Sequence, residues 1–238
     1  MQLIGLFLLG FVIWFGFGER GDVTVSAFDP HAAVMVLVGS CSAIMVSSTS
    51  QTVLRTFILL RELVPGLGRL GAETNALDAE RVELAALWRD GKRAQAVELA
   101  QRSSFPAIAR MLDLVLDRAP EEATRAAFTE LSHRELSTWQ PAISNWEVLS
   151  KLAPSFGMVG TITGMIQMFR TLGEDTNMGA AISLALLATL YGVAFGAGVA
   201  GPIGHFLRVL LDERLGVLER CELSVAELIA RSGRGAGH

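Results

Sequence analysis

Hydroxyl side chains are the groups of this 238-residue chain best placed to do chemistry in an apolar setting. Thr161 lies in one apolar stretch, and Thr189 and Tyr191 lie in the apolar stretch that follows it. A single threonine in a membrane helix commonly bonds only to its own backbone. Because a short connection joins the two stretches, however, we expect antiparallel neighbouring helices, in which Thr161 and Thr189 could line a wet path.

Ionisable groups are what such a path lacks. No Asp, Glu, Lys, Arg or His lies near the middle of any apolar stretch, and His205 lies near the predicted cytoplasmic end of the last one. Since proton relays generally need an ionisable group, conduction by this chain would require a carboxylate from another polypeptide. Paired carboxylates, Ser-His or Cys-His arrangements inside a span and phosphate-binding loops are not found, so we expect no enzyme and no metal site.

Composition places the chain in a membrane. Its residues are 51% hydrophobic and only 18% charged, against about 25% charged in soluble domains. Four stretches nearly free of charge cover residues 1–18, 30–54, 152–169 and 178–211. Eighteen helical residues span roughly 27 Å, enough to cross the hydrocarbon core. We therefore predict an all-α membrane protein with four transmembrane helices. Residues 1–18 are expected to be a span and not a signal peptide, because no basic residue precedes the apolar run.

The basic residues indicate the topology. Residues 55–151 carry 13 Lys and Arg, residues 206–238 carry five, and the connections 19–29 and 170–177 carry only Arg20 and Arg170. The positive-inside rule therefore predicts that both termini are cytoplasmic. The domains follow: a first transmembrane hairpin (1–54), a helical cytoplasmic domain (55–151), a second, channel-forming hairpin (152–211) and a C-terminal cytoplasmic helix and tail (212–238).

Apolar periodicity predicts helices over 72–88, 93–102, 106–117 and 120–139 of the cytoplasmic domain. Their expected inward-facing residues are Leu77, Val82, Ala85, Leu87, Met111, Leu112, Val115 and Leu116. A further stripe, formed by Leu211, Leu215, Leu218, Cys221, Val225 and Leu228, predicts one long C-terminal helix. The net charge of −4 gives no reason to expect nucleic acid as a partner.

Small residues and prolines mark the last two stretches. Glycines allow close helix packing in lipid, either within one chain or in a self-assembling ring. Pro154 and Pro202 each remove a backbone donor at one predicted membrane depth and could form a hinge. The glycines expected to pack helices are Gly157, Gly160 and Gly164 in the third stretch, and Gly192, Gly196 and Gly204 in the fourth.

The sequences LAPSFGMVGTITGMIQMF (152–169) and ISLALLATLYGVAFGAGVAGPIGHFL (182–207) carry a family resemblance. In particular, A-P-x-x-G-M-x-G-T, A-T-L-Y-G and G-P-I together resemble the MotA/TolQ/ExbB proton-channel family. Within that family the four-span layout with both termini inside is similar to MotA (PomA-type) flagellar stator subunits of the bacterial inner membrane. The first two spans and the cytoplasmic region match in layout more than in letters.

The resemblance implies a ring, with five copies of the chain around a dimer of a MotB-like partner. The partner's single span would supply the ionisable aspartate. Ion flow would turn the ring and drive the flagellar rotor. A TolQ/ExbB-like subunit energising a non-flagellar process and a passive membrane scaffold are the alternatives.

The resemblance also implies roles for single residues. Pro154 and Pro202 match prolines that couple ion flow to conformational change, and Thr161, Thr189 and Tyr191 match the ion pathway, with Gly192 completing that motif. Ala188 stands where sodium-type stators have threonine, which favours protons, whereas Thr161 favours sodium. We expect H⁺, with Na⁺ left open, and no other cofactor. The charged residues comparable to family contacts with the rotor are Arg89, Lys92, Arg93 and Glu98.

Overall fold

The computed structural model describes residues 30–64, 68–170 and 178–234, and every regular element among them is a helix. The first predicted span (1–18) and most of both predicted outer connections therefore lie outside the described residues. The helices are α1 (Pro30–Ser47), α2 (Ser50–Ile58), α3 (Leu70–Arg89), α4 (Arg93–Arg102), α5 (Pro106–Leu116), α6 (Glu121–Arg170), α7 (Met178–Phe195) and α8 (Gly201–Arg234). A 3₁₀ turn, Leu59–Leu63, follows α2, and a π-turn, Gly196–Ala200, joins α7 to α8.

The second apolar stretch is not one helix, so the prediction of a continuous element over 30–54 is wrong. α1 ends at Ser47, and Thr49 caps α2 from an extended conformation, its hydroxyl accepting a hydrogen bond from the Thr52 amide at 3.4 Å. Serine and threonine compete for backbone groups and favour such caps over helix interiors. The hydroxyl-rich end of the stretch therefore starts a new helix.

Two predicted helices, 120–139 and the third span, form a single 50-residue helix, α6. Pro141 and Pro154 lie inside it without ending it. Residues between the two predicted elements continue the buried face, since Ile143, Trp146 and Leu149 are almost fully buried. The packing of this buried face thus outweighs the loss of two backbone hydrogen-bond donors at the prolines.

Within the described parts of the chain, two helices are long and apolar enough to cross a membrane, namely Glu121–Arg170 and a second that covers Ala185–Arg231, while Ala32–Ser47 is a shorter apolar helix. The structure also has the predicted long C-terminal helix. The predicted fourth span, however, is interrupted by the π-turn at Gly196–Ala200. Four spans and the orientation of the termini stay predictions.

Over the residues that the structure describes, the chain forms two compact units, one within 1–63 and 141–207 and the other within 64–140 and 208–238. The limits of these units lie where contacts between residues become few. The domain boundaries predicted at 54, 151 and 211 lie instead where charged residues begin or end along the sequence. α6 and α8 each contribute residues to both units.

A buried polar network joins α2 to α6 in the first unit. The Asn145 amide donates to Thr56 Oγ1 at 2.9 Å and its oxygen accepts from Ser48 at 2.8 Å. Trp146 Nε1 donates to the Thr56 carbonyl at 3.0 Å, and its ring meets Phe57 edge to face, with ring centroids 6.4 Å apart. The network satisfies the polar groups at the break after α1.

The second unit is a helical cluster with its core between α3, α5, α6 and α8. Leu77, Leu84, Ile108, Met111 and Phe128 are its largest fully buried side chains apart from those of α8. From the C-terminal stripe, Leu218, Cys221, Val225 and Leu228 belong to this core and Leu215 packs against it half-buried, whereas Leu211 is buried outside it. Two predicted core residues are wrong: Val82 and Leu116 are each 51% exposed. Both lie at the edge of an apolar stripe, where periodicity alone does not fix the inward direction.

Charged contacts fasten α8 to its neighbours in this unit. Asp78 Oδ1 lies 2.9 Å from Arg81 Nε and 3.3 Å from Arg220 Nε. Burial raises the pKa of Asp78, but the two guanidinium groups outweigh that effect and hold the pKa below its ordinary value. Nearby, burial raises the pKa of the Cys221 thiol to about 12.

The ion pair between Arg214 and Glu135 is more shielded from solvent than the pairs of Asp78. Arg214 Nη2 lies 2.9 Å from Glu135 Oε1, with side-chain exposures of only 12% and 24%. The other carboxylate oxygen accepts a hydrogen bond from Trp139 Nε1 at 3.1 Å. Removing one member of a buried pair is strongly destabilising because the other charge stays desolvated.

We therefore expect Glu135→Ala to lower the free energy of unfolding by about 3 kcal/mol, measured by denaturant titration followed by circular dichroism. Glu130→Ala is the matched control, because Glu130 pairs with Arg134 on the exposed surface, where pairs contribute about 1 kcal/mol or less. Equal losses in the two variants would show that Arg214 is not held by Glu135.

Candidate functional site

The candidate site lies where α6 and α7 approach each other through glycines. A Cβ atom added at Gly157 would lie 2.9 Å from the Ala188 carbonyl oxygen, and one added at Gly192 would lie 2.6 Å from the Ala153 oxygen. Carbonyls of each helix thus rest against glycine α-carbons of the other, the geometry of weak Cα–H···O contacts. Gly157 and Gly192 leave no room for a side chain.

The other predicted packing glycines extend this contact in both directions. At Gly160 and Gly164 an added Cβ would collide with Ala188 and Ala185 Cβ, at 2.6 and 2.9 Å. At Gly196 it would lie 2.7 Å from both Pro154 Cδ and the Ser150 carbonyl oxygen. At Gly204 it would lie 3.3 Å from Trp146 Cβ, a looser contact between α8 and α6. The structure therefore places all six glycines at helix contacts.

Thr161 and Thr189 meet in the middle of the contact between α6 and α7, where their hydroxyls are hydrogen-bonded to each other. The Thr161 hydroxyl also lies 2.9 Å from the Ala185 carbonyl oxygen and 3.2 Å from that of Gly157. Thr189 Oγ1 lies 3.3 Å from the same Gly157 oxygen. Both side chains are half-buried, so the pair is partly accessible.

This arrangement differs from that of an isolated membrane threonine. Thr163, two residues after Thr161, bonds only within its own helix, to the Val159 and Gly160 carbonyls at 3.0 Å each. The Thr161–Thr189 pair instead links two helices and combines two hydroxyls with carbonyl acceptors. Such a pair can donate to and accept from a protonatable group or water, but neither hydroxyl can itself take up a proton near neutral pH.

The remaining pathway and coupling residues lie near the pair along the chain. Tyr191 is half-buried on α7, two residues after Thr189. Pro154 packs against Gly196, the first residue of the π-turn that precedes Pro202. The structure thus brings one predicted coupling proline to the turn beside the other. Their roles in the ion pathway and in coupling stay predictions.

The predicted rotor contacts lie in the second unit, at and after the turn between α3 and α4. Arg89, Lys92, Arg93 and Glu98 are exposed. Arg93 stacks over the Trp88 ring with its guanidinium carbon 5.4 Å from the ring centroid, and Lys92 lies 3.7 Å from Asp90. Glu98 pairs with Arg102 at 3.3 Å. They form a charged surface, and contact with a rotor stays a prediction.

Sequence reasoning missed several residues that build the site. Ala185 offers its carbonyl to Thr161, and the Ala188 methyl packs against Gly160, so Ala188 has a packing role beside any role in ion choice. Gly39 receives the Phe156 ring, which would lie 2.6 Å from an added Cβ. Spacing of small residues on α7 was the available signal for the alanines. Nothing in the sequence marked the partner of Gly39.

Comparison with known proteins identifies the family of the chain. The model of the MotA/TolQ/ExbB proton channel family matches residues 99–220, just over half of the chain. The chain belongs to this family. Motility protein A of Aquifex aeolicus (strain VF5) is 39% identical over 70 residues, which cover 29% of this chain and 28% of that protein. Chemotaxis protein PomA of Vibrio alginolyticus is 27% identical over 141 residues, covering 59% of this chain and 55% of that protein.

Solved structures show the same fold over nearly the whole chain. A chain of the C. jejuni MotAB structure gives a TM-score of 0.80 at 18% identity, covering 96% of this chain and 88% of that one. The Bacillus subtilis flagellar MotAB stator complex gives 0.76 at 23% identity, covering 95% and 88%. By sequence, in contrast, the chain spans between 28% and 55% of the length of the two curated relatives named above.

The glycine contact yields a stability prediction. Gly192→Ala should lower the melting temperature of the protein in detergent by several degrees, because overpacking against fixed backbone costs about 1–3 kcal/mol. Gly216→Ala is the control: its added methyl would meet only Arg220 Nη1, at 3.6 Å, and alanine favours a helix. A melting temperature for Gly192→Ala equal to or above that of Gly216→Ala would contradict the close approach of α6 and α7.

Proposed function

We propose that this chain is the ion-conducting stator subunit of a bacterial flagellar motor. Several copies, five by the family resemblance, form a ring around a MotB-like partner in the inner membrane. Ion flow past the Thr161–Thr189 pair is coupled to torque through movement of the ring. The proposed ion is H⁺, with Na⁺ as the alternative.

The observation that carries this proposal is the hydroxyl pair between two apolar helices. The hydroxyls of Thr161 and Thr189 are hydrogen-bonded to each other and lie within hydrogen-bond distance of the Gly157 and Ala185 carbonyl oxygens. The sequences of both helices lack an ionisable side chain around them. A pair that can exchange hydrogen bonds but cannot hold a proton suits a site completed by an acid from another polypeptide.

The comparisons support the identity of that polypeptide. The two solved structures named above are MotAB structures, and the two curated relatives are named Motility protein A and Chemotaxis protein PomA. By this likeness the missing acid belongs to a MotB-like single-span protein. Lipid would surround the ring, and no nucleic acid is involved.

The cytoplasmic part of the proposal concerns the rotor. With both termini in the cytoplasm, the second unit would face the rotor, and the exposed charges at Arg89, Lys92, Arg93 and Glu98 are its candidate contacts. The matches to motility proteins favour the flagellar role over a TolQ/ExbB-like energiser of another process.

The direct test is removal of the hydroxyls. Thr161→Val and Thr189→Val, each co-expressed with the MotB-like partner, should lose most ion flux and should lose swimming. Valine keeps the shape of threonine but cannot hydrogen-bond, so the path loses its polar lining. Proton entry into vesicles, followed with a pH-sensitive dye, gives the flux itself.

Thr163→Val is the matched control, because the Thr163 hydroxyl bonds only to its own helix. It should swim and conduct like the original chain. Equal behaviour of all three variants would exclude the proposed pathway. Ion flux without swimming in the unmodified pair would instead favour a non-flagellar energiser, and flux that requires Na⁺ would overturn the choice of H⁺.

A further inference from the structure

A groove between α6 and α8 in the second unit takes no part in the proposed function. It encloses about 440 Å³, and every residue that lines it belongs to the second unit. Phe128, Leu136 and Leu215 contribute apolar surface to it. Its volume lies within the usual range of ligand pockets, about 300–1,000 Å³, so it is large enough to hold side chains of another polypeptide.

The charge of this groove is negative. Asp212, Glu219 and Glu222 of α8 line it, and among its described lining residues none is Lys or Arg. Glu222 lies 3.8 Å from Arg125, whereas Asp212 and Glu219 are exposed and have no hydrogen bond or ion pair within the described parts of the chain. The two unpaired carboxylates stand seven residues apart on one helix, about 10 Å. They favour an occupant with at least two positive charges.

Gly216 leaves the surface of α8 open between these two carboxylates. Among the described residues, a Cβ atom added there would approach only Arg220 Nη1, at 3.6 Å. Unlike the glycines between α6 and α7, Gly216 is therefore not required for packing within the chain, although glycine destabilises a helix interior relative to alanine. The open surface lets the backbone of an occupant come close to α8 between Asp212 and Glu219.

A basic segment beside a membrane span has the chemistry that this groove fits. The proposed MotB-like partner crosses the membrane once. The positive-inside rule places Lys and Arg on the cytoplasmic side of a span, within about 15–20 residues of its end. With both termini of the present chain in the cytoplasm, as proposed, the second unit lies on that same side of the membrane.

The distance to the groove suits such a segment. Along α6, Leu136 lies 16 residues before Leu152, where the third apolar stretch begins, and 16 helical residues span about 24 Å. An extended segment of 15 residues reaches about 50 Å. The cytoplasmic flank of a single-span partner is therefore long enough to enter the groove.

We propose that this acidic groove binds the basic cytoplasmic flank of the MotB-like partner. Lys and Arg side chains of the flank pair with Asp212 and Glu219, and its apolar side chains pack on the apolar lining. Because the partner's span keeps the flank nearby, its high effective concentration compensates for the weakness of exposed ion pairs. This proposal rests on the proposed function and adds to it a second contact with the partner, outside the membrane.

The rotor is a less suitable occupant of the groove. The exposed residues proposed to contact the rotor are mainly basic, namely Arg89, Lys92 and Arg93. A rotor surface complementary to them is acidic, and Asp212 and Glu219 would repel it. Binding of the rotor or of a second copy of the chain is a distinguishable outcome of the test.

The test is photocross-linking in the intact complex. Thr129, an exposed residue of the groove, is replaced by p-benzoylphenylalanine in the full chain, which is co-expressed with the MotB-like partner in native membranes. Ala123 is the control position, because it is exposed, lies about 120° around α6 from Thr129 and does not line the groove. We expect an adduct with the partner at position 129 and at least fivefold less at position 123. Deletion of the partner's cytoplasmic flank should abolish the adduct.

Two substitutions of equal charge separate the groove from the rest of α8. Glu219→Lys should lower the yield of the adduct at position 129 at least fivefold, because a cation replaces one of the two unpaired carboxylates. Glu213→Lys is the matched control, since Glu213 is exposed on the same helix and does not line the groove. It should change the yield less than twofold. Equal losses in the two variants would overturn the proposal.

The remaining outcomes distinguish this proposal from the proposed function. A partner that co-purifies with the chain but forms no adduct at position 129, or with the probe at His133 of the same groove, overturns the groove contact alone. An adduct with a second copy of the chain or with a rotor protein in place of the partner overturns it in favour of that protein. Failure of the chain and the partner to co-purify would contradict the proposed function as well.

Discussion

Helices α6 and α7 approach so closely that carbonyl oxygens of one lie against glycine α-carbons of the other. This backbone contact, at Gly157 and Gly192, sets the spacing of the two helices at the candidate site. In lipid no hydrophobic effect drives helices together, so packing of small residues and weak polar contacts must hold them. The Thr161–Thr189 pair exists only because the two backbones leave no space between them.

The close approach of α6 and α7 also explains why the polar side chains between them are small and uncharged. A charged side chain between these helices would need both room and a partner, and the glycine contact offers neither. Hydroxyls fit because they bond to carbonyls that the helices already present, here those of Gly157 and Ala185. Under the proposed function the charge arrives on another chain, so this chain needs only to hold hydrogen-bonding groups at the correct place.

Much of this could be read from the sequence, because spacing and chemistry are local properties. The helix 93–102, the C-terminal stripe from Leu211 to Leu228 and the packing glycines follow from periodicity. The break before α2, the joining of two predicted helices into α6 and the π-turn could not be read in this way. Each depends on tertiary contacts: the bonds of Ser48 and Thr56 to Asn145, the buried face at Ile143 and Trp146, and the packing of Gly196 against Pro154. Val82 and Leu116 show the same limit at the edges of helix faces.

The most direct measurement of the central claim is disulfide cross-linking to the MotB-like partner in native membranes. Cysteine replaces the partner's ionisable residue, and Thr161→Cys, Thr189→Cys or Thr163→Cys is introduced in a chain that carries Cys41→Ala and Cys221→Ala. Thr163 lies about 200° around α6 from Thr161. The account predicts cross-links at positions 161 and 189 and none at 163. Cross-linking at 163 in preference to 161 and 189 would contradict it.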